Sequence, residues 1–318
     1  MTKAIPAREK AERLIKRIRN LETTLEGRKL DEAIRYYLPH PKQEEFHKAG
    51  ALYRIRALLG ANRSGKTTAN IAEAVAHSLG YRPWLAKTDP DYKVKIKVHN
   101  RWLLISESFG EQVKKVLLTK LLGDPDTGVP GLLPKWALES TKKNQQGIIT
   151  QVKLTNGSVI SLNSYEQEPR LFEGDNPAWI GFDEPPPRPI WIATQRGLVD
   201  TNGPCWVTMT PLREAWFYDE VMSREDVWKA NVDIQENVGF GITQLAVDQF
   251  EQTLSDDEKE MRLHGRYFHL VGLVYSEYDA KYHRINRFKL DGTYGLWMPV
   301  DPHPRKPICV AWDVISPS

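Results

Sequence analysis

Tyr53-Arg54-Ile55-Arg56-Ala57-Leu58-Leu59 runs into Gly60-Ala61-Asn62-Arg63-Ser64-Gly65-Lys66-Thr67, an apolar stretch followed by a loop bracketed by two glycines. The last eight residues fit the pattern G-x-x-x-x-G-K-S/T without a mismatch. The apolar run reads as a short strand over 53–59. After the loop, Ala69, Ala72, Val75, Ala76 and Leu79 recur on one face of a helix predicted over 65–79. A glycine loop between a strand and a helix lets backbone N–H groups and the positive helix N-terminus converge on phosphate oxygens. Gly60 and Gly65 permit close approach, Asn62, Arg63 and Ser64 line the cradle between them, and Lys66 reaches the β- and γ-phosphates. The Thr67 hydroxyl, with Thr68 beside it, stands where Mg²⁺ is ligated in such loops.

Strands and helices alternate outward from this loop. Residues 101–106, 178–182 and 205–209 read as short buried strands, and Lys93-Val94-Lys95-Ile96-Lys97-Val98 alternates as an edge strand with outward lysines would. Two strand-like runs flank Asn156-Gly157 within 148–164, the signal of a β-hairpin. Helices are predicted at 109–122, 189–198, 213–223, 243–254 and 256–264. The fold class is therefore α/β: a P-loop NTPase sandwich with a mostly parallel central sheet, an added β-hairpin and a small helical lid.

The chain's 318 residues are enough for about two domains, and 41% hydrophobic against 27% charged residues is ordinary globular composition. No apolar run approaches the ~20 residues of a membrane-spanning helix. Two cysteines, Cys205 and Cys309, lack metal-ligand spacing and make no disulfide framework, which points to a reducing compartment. The net charge of +3 hides a polarity. Residues 1–30, read as a basic N-terminal helix or arm, hold nine Lys or Arg against four Glu, whereas 214–260 hold thirteen acidic residues. Such a distribution suits an anionic partner on one face.

Ala178-Trp179-Ile180-Gly181-Phe182-Asp183-Glu184 ends a short apolar strand in two adjacent carboxylates. Ligands of open α/β sheets bind at that end of the strands. Asp183 would hold Mg²⁺ directly or through water, and Glu184 would polarise a water for in-line attack on a γ-phosphate. The plainer account is an acidic pair at a helix start, welcome there for dipole reasons. Trp206-Val207-Thr208-Met209-Thr210-Pro211 is another strand ending in hydroxyls, and Thr208 or Thr210 could contact the attacking water or a γ-phosphate oxygen. Hydroxyls at strand ends also form turns. Upstream, the Gln43 amide can donate to and accept from an adenine edge together.

In this order the pieces resemble the motor part of the large terminase subunit, the DNA-packaging ATPase of tailed bacteriophages. The resemblance is carried by Gln43, the loop GANRSGKT, the stretch Ser164-Tyr165-Glu166-Gln167 leading through Arg170 and Gly174 to GFDEPPP, and the TMTP segment; it covers roughly residues 35–290. It implies an ATP- and Mg²⁺-dependent motor that drives double-stranded DNA into a procapsid through the portal. It further implies a small terminase subunit as partner, a homo-oligomeric ring when active, no membrane, and work in the host cytoplasm while docked on the procapsid. Lys66, Glu184, Thr210 and Arg170 would be the catalytic set, with Arg170 as a finger reaching a neighbouring subunit's ATP. Arg170 could equally pair with Glu166, Glu168 or Glu173, leaving Arg63 or Arg101 as the finger. The implied domains are a P-loop ATPase core at 31–212, an acidic lid at 213–265, a linker at 266–306, and the first strand of a nuclease-like domain at 307–318. Asp313 stands where that nuclease would hold metal, but the sequence stops five residues later and a two-metal site needs several carboxylates, so no nuclease activity is expected of this chain. Two other readings share these residues: a nucleic-acid-translocating P-loop ATPase of helicase type, and an assembly scaffold switched by nucleotide.

Overall fold

The apolar runs Ile55–Gly60, Arg101–Ser106, Trp179–Asp183 and Cys205–Met209 form the inner strands of an eight-stranded central sheet because they bury both faces, as strands of parallel sheets do. The computed structural model describes residues 7–96, 100–173, 176–210, 215–255, 258–259 and 262–265, and beyond them 295–297, 300–301, 309–310 and 313–315. The chain divides into two units, 1–269 and 270–318.

The first unit begins with helices α1 (Ala7–Asp31) and α2 (Pro41–Ala49), strand β1 (Ile55–Gly60), helix α3 (Lys66–Leu79) and strand β2 (Arg101–Ser106). A π-helical stretch, Phe109–Leu117, then runs into α4 (Leu118–Leu122), followed by the two-residue strands β3 (Gly123–Asp124) and β4 (Val129–Pro130). Strands β5 (Leu138–Lys143), β6 (Ile149–Leu154), β7 (Val159–Ser164) and β8 (Trp179–Asp183) lead to helix α5 (Arg188–Gly197) and strand β9 (Cys205–Met209). Helix α6 (Ala215–Phe217), strand β10 (Val227–Val232) and helix α7 (Gln244–Glu251) complete it. The sheet order is β10-β1-β9-β8-β2-β7-β6-β5. The strands from β10 to β7 are parallel, and β6 and β5 add on antiparallel.

Alternate residues of β1 serve opposite faces. Leu58 packs with Ala69, Val75, Trp102 and Leu104 under α3, while Ala57 and Leu59 pack with Ile105, Phe182, Val207 and Trp191 under α5. On the α3 face, Trp102, Trp179 and Trp206 from three adjacent strands stack at ring-centroid distances of 3.6 and 4.5 Å. All three are buried, so they fix the register at which β8 meets β2 and β9. Gly181 faces Trp206 across the ladder, where an added Cβ would lie 2.9 Å from the Trp206 Nε1.

The hairpin at Asn156-Gly157 forms β6 and β7, closed by Leu154 N–H donating to the Ser158 carbonyl, with Gly157 at a φ of 85°. The edge strand expected at 93–98 does not form in its described part. Lys93 makes only an isolated bridge to Tyr81, and residues 97 and 98 lie outside the described residues. Both sides of the following strand, β2, are taken by β7 and β8, which leaves no ladder edge beside it. The stretch expected to be a helical lid contributes β10, an edge strand of the main sheet, so the core continues past residue 212. Beyond it, Ile234, Val247 and Leu263 pack on Ala61 of the loop as a small separate cluster.

Helix α1 leaves Leu14, Ile15, Ile18 and Leu21 exposed. In the second unit, Gly295–Trp297 pairs antiparallel with Asp313–Ile315, and Val300–Asp301 with Cys309–Val310. Residues 266–294, most of the expected linker, lie outside the described residues. No helix among the described residues is long and apolar enough to cross a membrane.

Candidate functional site

The glycine loop is braced from three directions. Gly60 sits so tightly that a Cβ would meet Ser64 Oγ at 2.7 Å and the Val232 carbonyl at 2.9 Å. Arg63 and Gly65 both have positive φ, 61° and 84°, turning successive amides toward one side. The Ser64 carbonyl lies 3.0 Å from His40 Nε2, and the Arg63 carbonyl accepts from Asn237 Nδ2 at 2.6 Å. Lys66, nearly buried, donates to the Gly60 and Ala61 carbonyls at 2.8 and 2.5 Å. Burial lowers its pKa from the ordinary lysine value, opposed by the nearby charges of Glu184 and Asp183.

The carboxylate strand β8 lies two places from β1, beyond β9, and its end reaches the start of α3. Thr67 Oγ1 donates to Asp183 Oδ1 at 3.0 Å, and Thr208 Oγ1, directly across from Asp183 in the ladder, donates to the same oxygen at 3.1 Å. Asn70, one turn into α3, donates to the Phe182 carbonyl and to Thr208 Oγ1, each at 2.9 Å, and accepts from Trp206 Nε1 at 2.7 Å. This buried amide ties the phosphate-loop helix to β8 and β9. Burial raises the pKa of Asp183 against the Thr67 and Thr208 hydrogen bonds.

Glu184 has a φ of 73°, a left-handed conformation that a non-glycine residue adopts at a cost of about 1 to 3 kcal/mol. The conformation is held by Glu184 N–H donating to the Thr208 carbonyl and by the Tyr165 hydroxyl donating to the Glu184 carbonyl. It turns the side chain away from Asp183 and onto Thr210, whose backbone N–H donates to Oε2 at 2.9 Å and whose hydroxyl donates to Oε1 at 3.2 Å. Burial pushes the Glu184 pKa up to about 7, with Lys66 opposing.

Two cavities flank the loop. One of about 920 Å³ is lined by Asn62 to Thr68, Gln43, Tyr36, Lys120 and Phe240 among others; the other, of about 570 Å³, is lined by Glu184, Thr210, Tyr165, Glu107 and Glu166. Asn62 and Gln112 line both. The two cavities therefore adjoin at Asn62 of the loop, with Glu184 lining the smaller.

Of the residues predicted from sequence, the structure gathers Gly60, Asn62, Arg63, Ser64, Gly65, Lys66, Thr67, Thr68, Asp183, Glu184 and Thr210 around the loop and the adjoining strand ends. Gln43 is there too, lining the larger cavity. Its Oε1 accepts from the His40 N–H at 3.0 Å and its Nε2 donates to the Gly65 carbonyl at 2.9 Å, so both ends of the amide are engaged in capping α2 and holding the loop. Arg170 lies on a 3₁₀ turn, Pro169–Phe172, with its side chain 77% exposed and paired with Glu168; it lines neither cavity. Arg101 opens β2 at the opposite end of the sheet from Ser106, which is the end nearest Asp183.

Sequence reading gave no role to His40, Asn70, Lys120, Tyr165 or Asn237. Asn70 alone carried a signal, as an asparagine on the buried side of an alanine-rich helix where a polar side chain needs partners.

No group of three or more His, Cys, Asp or Glu suited to a metal occurs among the described residues. The Thr67 hydroxyl beside the Asp183 carboxylate is a sparse oxygen pair, which fits Mg²⁺, an ion that keeps waters and takes phosphate oxygens as its remaining ligands.

A glycine loop between β1 and α3, with a carboxylate from β8, the next strand but one, hydrogen-bonded to its threonine, defines a P-loop nucleotide-binding protein. Residues 57–283 match the family model described as terminase large subunit, T4likevirus-type, N-terminal, and the chain belongs to that family. A comparison with curated proteins found no match. Among solved structures, the large terminase ATPase domain of Thermus phage P74-26 superposes with a TM-score of 0.52 at 13% identity, covering 74% of this chain and 96% of that one. The large terminase of another thermophilic bacteriophage, in complex with ADP, gives 0.51 at 14% identity, covering 87% of this chain and 65% of that one. At these identities the likeness is one of fold.

Proposed function

We propose that this chain is a Mg²⁺-dependent ATPase whose turnover drives double-stranded DNA into a procapsid. The observation that carries the reading is the division of the two adjacent carboxylates. Asp183 faces Thr67 and Thr208, whereas the left-handed backbone at Glu184 aims the second carboxylate at Thr210 and the neighbouring cavity. A protein that only binds nucleotide has no use for a strained, separately aimed carboxylate.

In this mechanism the loop amides and Lys66 bind the β- and γ-phosphates, and Thr67 with Asp183 would hold Mg²⁺, which neutralises phosphate charge when bound. Glu184, with a pKa raised to about 7, accepts a proton from the attacking water near neutral pH. Thr210 holds Glu184 through two hydrogen bonds, so movement of the chain after β9 and the position of the base are linked. Arg170, exposed on its turn, is free of its own nucleotide cavity and suits delivery to a neighbour's γ-phosphate in a ring. The portal and a small terminase subunit are the protein partners this assignment carries with it, and the host cytoplasm its place of work. The exposed basic residues of α1 suit the DNA backbone.

The test compares two variants. Lys66→Ala is expected to weaken ATP binding and turnover together. Glu184→Gln should bind ATP normally and lose turnover by about 10²- to 10⁴-fold, the range for a general base. Near-normal hydrolysis by Glu184→Gln removes that residue from the chemistry. The coupling to transport is checked by whether turnover rises when portal-bearing procapsids and linear duplex DNA are supplied together, and a rate indifferent to both refutes the motor assignment.

A further inference from the structure

Lys120 reaches the nucleotide cavity from a stretch with no phosphate-binding pattern in its sequence. It sits on α4, just after the π-helical segment, and that short helix is locked in place. Leu118 and Leu121 are buried in the core, and the carbonyls of Lys120 and Leu121 accept from the N–H groups of Leu132 and Leu133, each at 2.8 Å. The side chain lines the same cavity as Arg63, Lys66, Thr67 and Thr68, and its ammonium donates to Thr68 Oγ1 at 3.0 Å. Among the described residues no carboxylate comes within ion-pair distance of it. Its electrostatic neighbours are Asp183, which favours the charged form, and Arg63, which opposes it, while partial burial is the largest influence and lowers its pKa.

A half-buried ammonium beside a second cation and without a carboxylate partner costs free energy that an anion in the cavity would offset. Three cationic side chains, Arg63, Lys66 and Lys120, line this cavity. A nucleoside triphosphate carries the complementary charge. Building on the nucleotide-binding reading above, we propose that Lys120 is a second phosphate-binding lysine, placed by α4 to donate to non-bridging oxygens of the bound nucleotide. The hydroxyl of Thr68 then serves as its anchor, which keeps the ammonium aimed into the cavity.

The experiment measures equilibrium binding of ADP, ATP and adenosine to the full chain at several salt concentrations, for wild type, Lys66→Ala, Lys120→Met and Lys120→Arg. Charge-assisted hydrogen bonds of this kind are lost at about tenfold to hundredfold in affinity. Lys120→Met should therefore weaken ADP and ATP by that factor, leave adenosine unchanged within about threefold, and show a shallower salt dependence because one screened charge is gone. Lys120→Arg should recover most of the affinity. Lys120→Gln, which keeps a donor for Thr68, replaces the methionine variant if thermal unfolding shows that Lys120→Met is not folded.

Binding of ADP by the neutral variant within threefold of wild type, while Lys66→Ala fails to bind, overturns this inference and leaves the nucleotide site standing. Equal losses for ADP and adenosine overturn it as well, since they would mark Lys120 as a brace for the cavity wall. A wild-type chain that binds no nucleotide overturns both readings together.

Discussion

Replacing Asn70 by alanine tests whether one buried amide aligns the loop helix with the two functional strands. The side chain is fully buried and makes three hydrogen bonds, to the Phe182 carbonyl, Thr208 Oγ1 and Trp206 Nε1, at 2.9, 2.9 and 2.7 Å. Truncation leaves the Trp206 indole N–H without its acceptor in a dry site, at about 1 to 3 kcal/mol. The Phe182 carbonyl keeps a share of the one Thr208 hydroxyl proton, 3.2 Å away, which also serves Asp183, so the loss of its Asn70 bond and that of the Thr208 contact are hydrogen-bond terms of about 1 kcal/mol each. Together with a small void beneath the stacked tryptophans, the expected loss is about 3 to 5 kcal/mol, measured by urea unfolding with an unchanged m-value. The same change frees Thr208, which donates to Asp183, so at a temperature where the variant is folded kcat should fall more than the affinity for ADP. A stability loss below about 1 kcal/mol, or turnover unaffected in the folded variant, would refute the claim that Asn70 couples the helix to the carboxylate strand.

His77 and Glu184 should pull the stability of this fold in opposite directions as pH falls. His77 is fully enclosed, and burial takes its pKa from 6.5 to about 4. At this site the unfolded chain therefore binds the extra proton across that window, and the contribution of His77 to stability falls as pH drops through it, by up to about 3 kcal/mol. Burial also acts to raise Glu73, but Arg82, Arg56 and His47 outweigh it and hold the carboxyl well below the usual range, so its contribution is lost at still lower pH. Glu184, held near 7 in the folded chain, takes up its proton over nearly the same window and offsets the His77 loss, so the test uses Glu184→Gln, in which urea midpoints that stay constant or rise from pH 7 to pH 4.5 contradict this account. In ring assembly, a mixture of Arg170→Ala and Glu184→Gln chains should regain ATPase activity that neither shows alone. A mixture that stays inactive at every ratio, alongside normal hydrolysis by Arg170→Ala, assigns Arg170 to its Glu168 ion pair. Duplex DNA binding should weaken steeply as salt rises, through release of counterions from phosphates met by Lys and Arg, and affinity insensitive to ionic strength removes the electrostatic basis of the motor assignment.

The local parts of this protein were written in local sequence. The phosphate loop, the helix after it, the buried strands and the Asn156-Gly157 turn each depend on residues a few positions apart, whose spacing and backbone preferences act before any distant contact forms. Asp183 and Glu184 were legible as a pair for the same reason, since an apolar run ending in acids is itself a local pattern. Which way each carboxylate turns was not legible. That follows from the left-handed φ at Glu184 and from Thr208 and Thr210, whose partners stand more than twenty residues away along the chain. Gln43 was read by its position before the loop, and only the fold shows that its amide also bonds His40 and Gly65. Strand β10 was hidden because an edge strand needs only half of an apolar alternation: Val227 and Val232 are buried while Lys229 and Asn231 stay exposed. Asn70 and Lys120 gained their roles only when strand order brought β8, β9 and α4 around one helix, because a contact between residues 138 or 52 positions apart is fixed by topology and packing rather than by any spacing in the sequence.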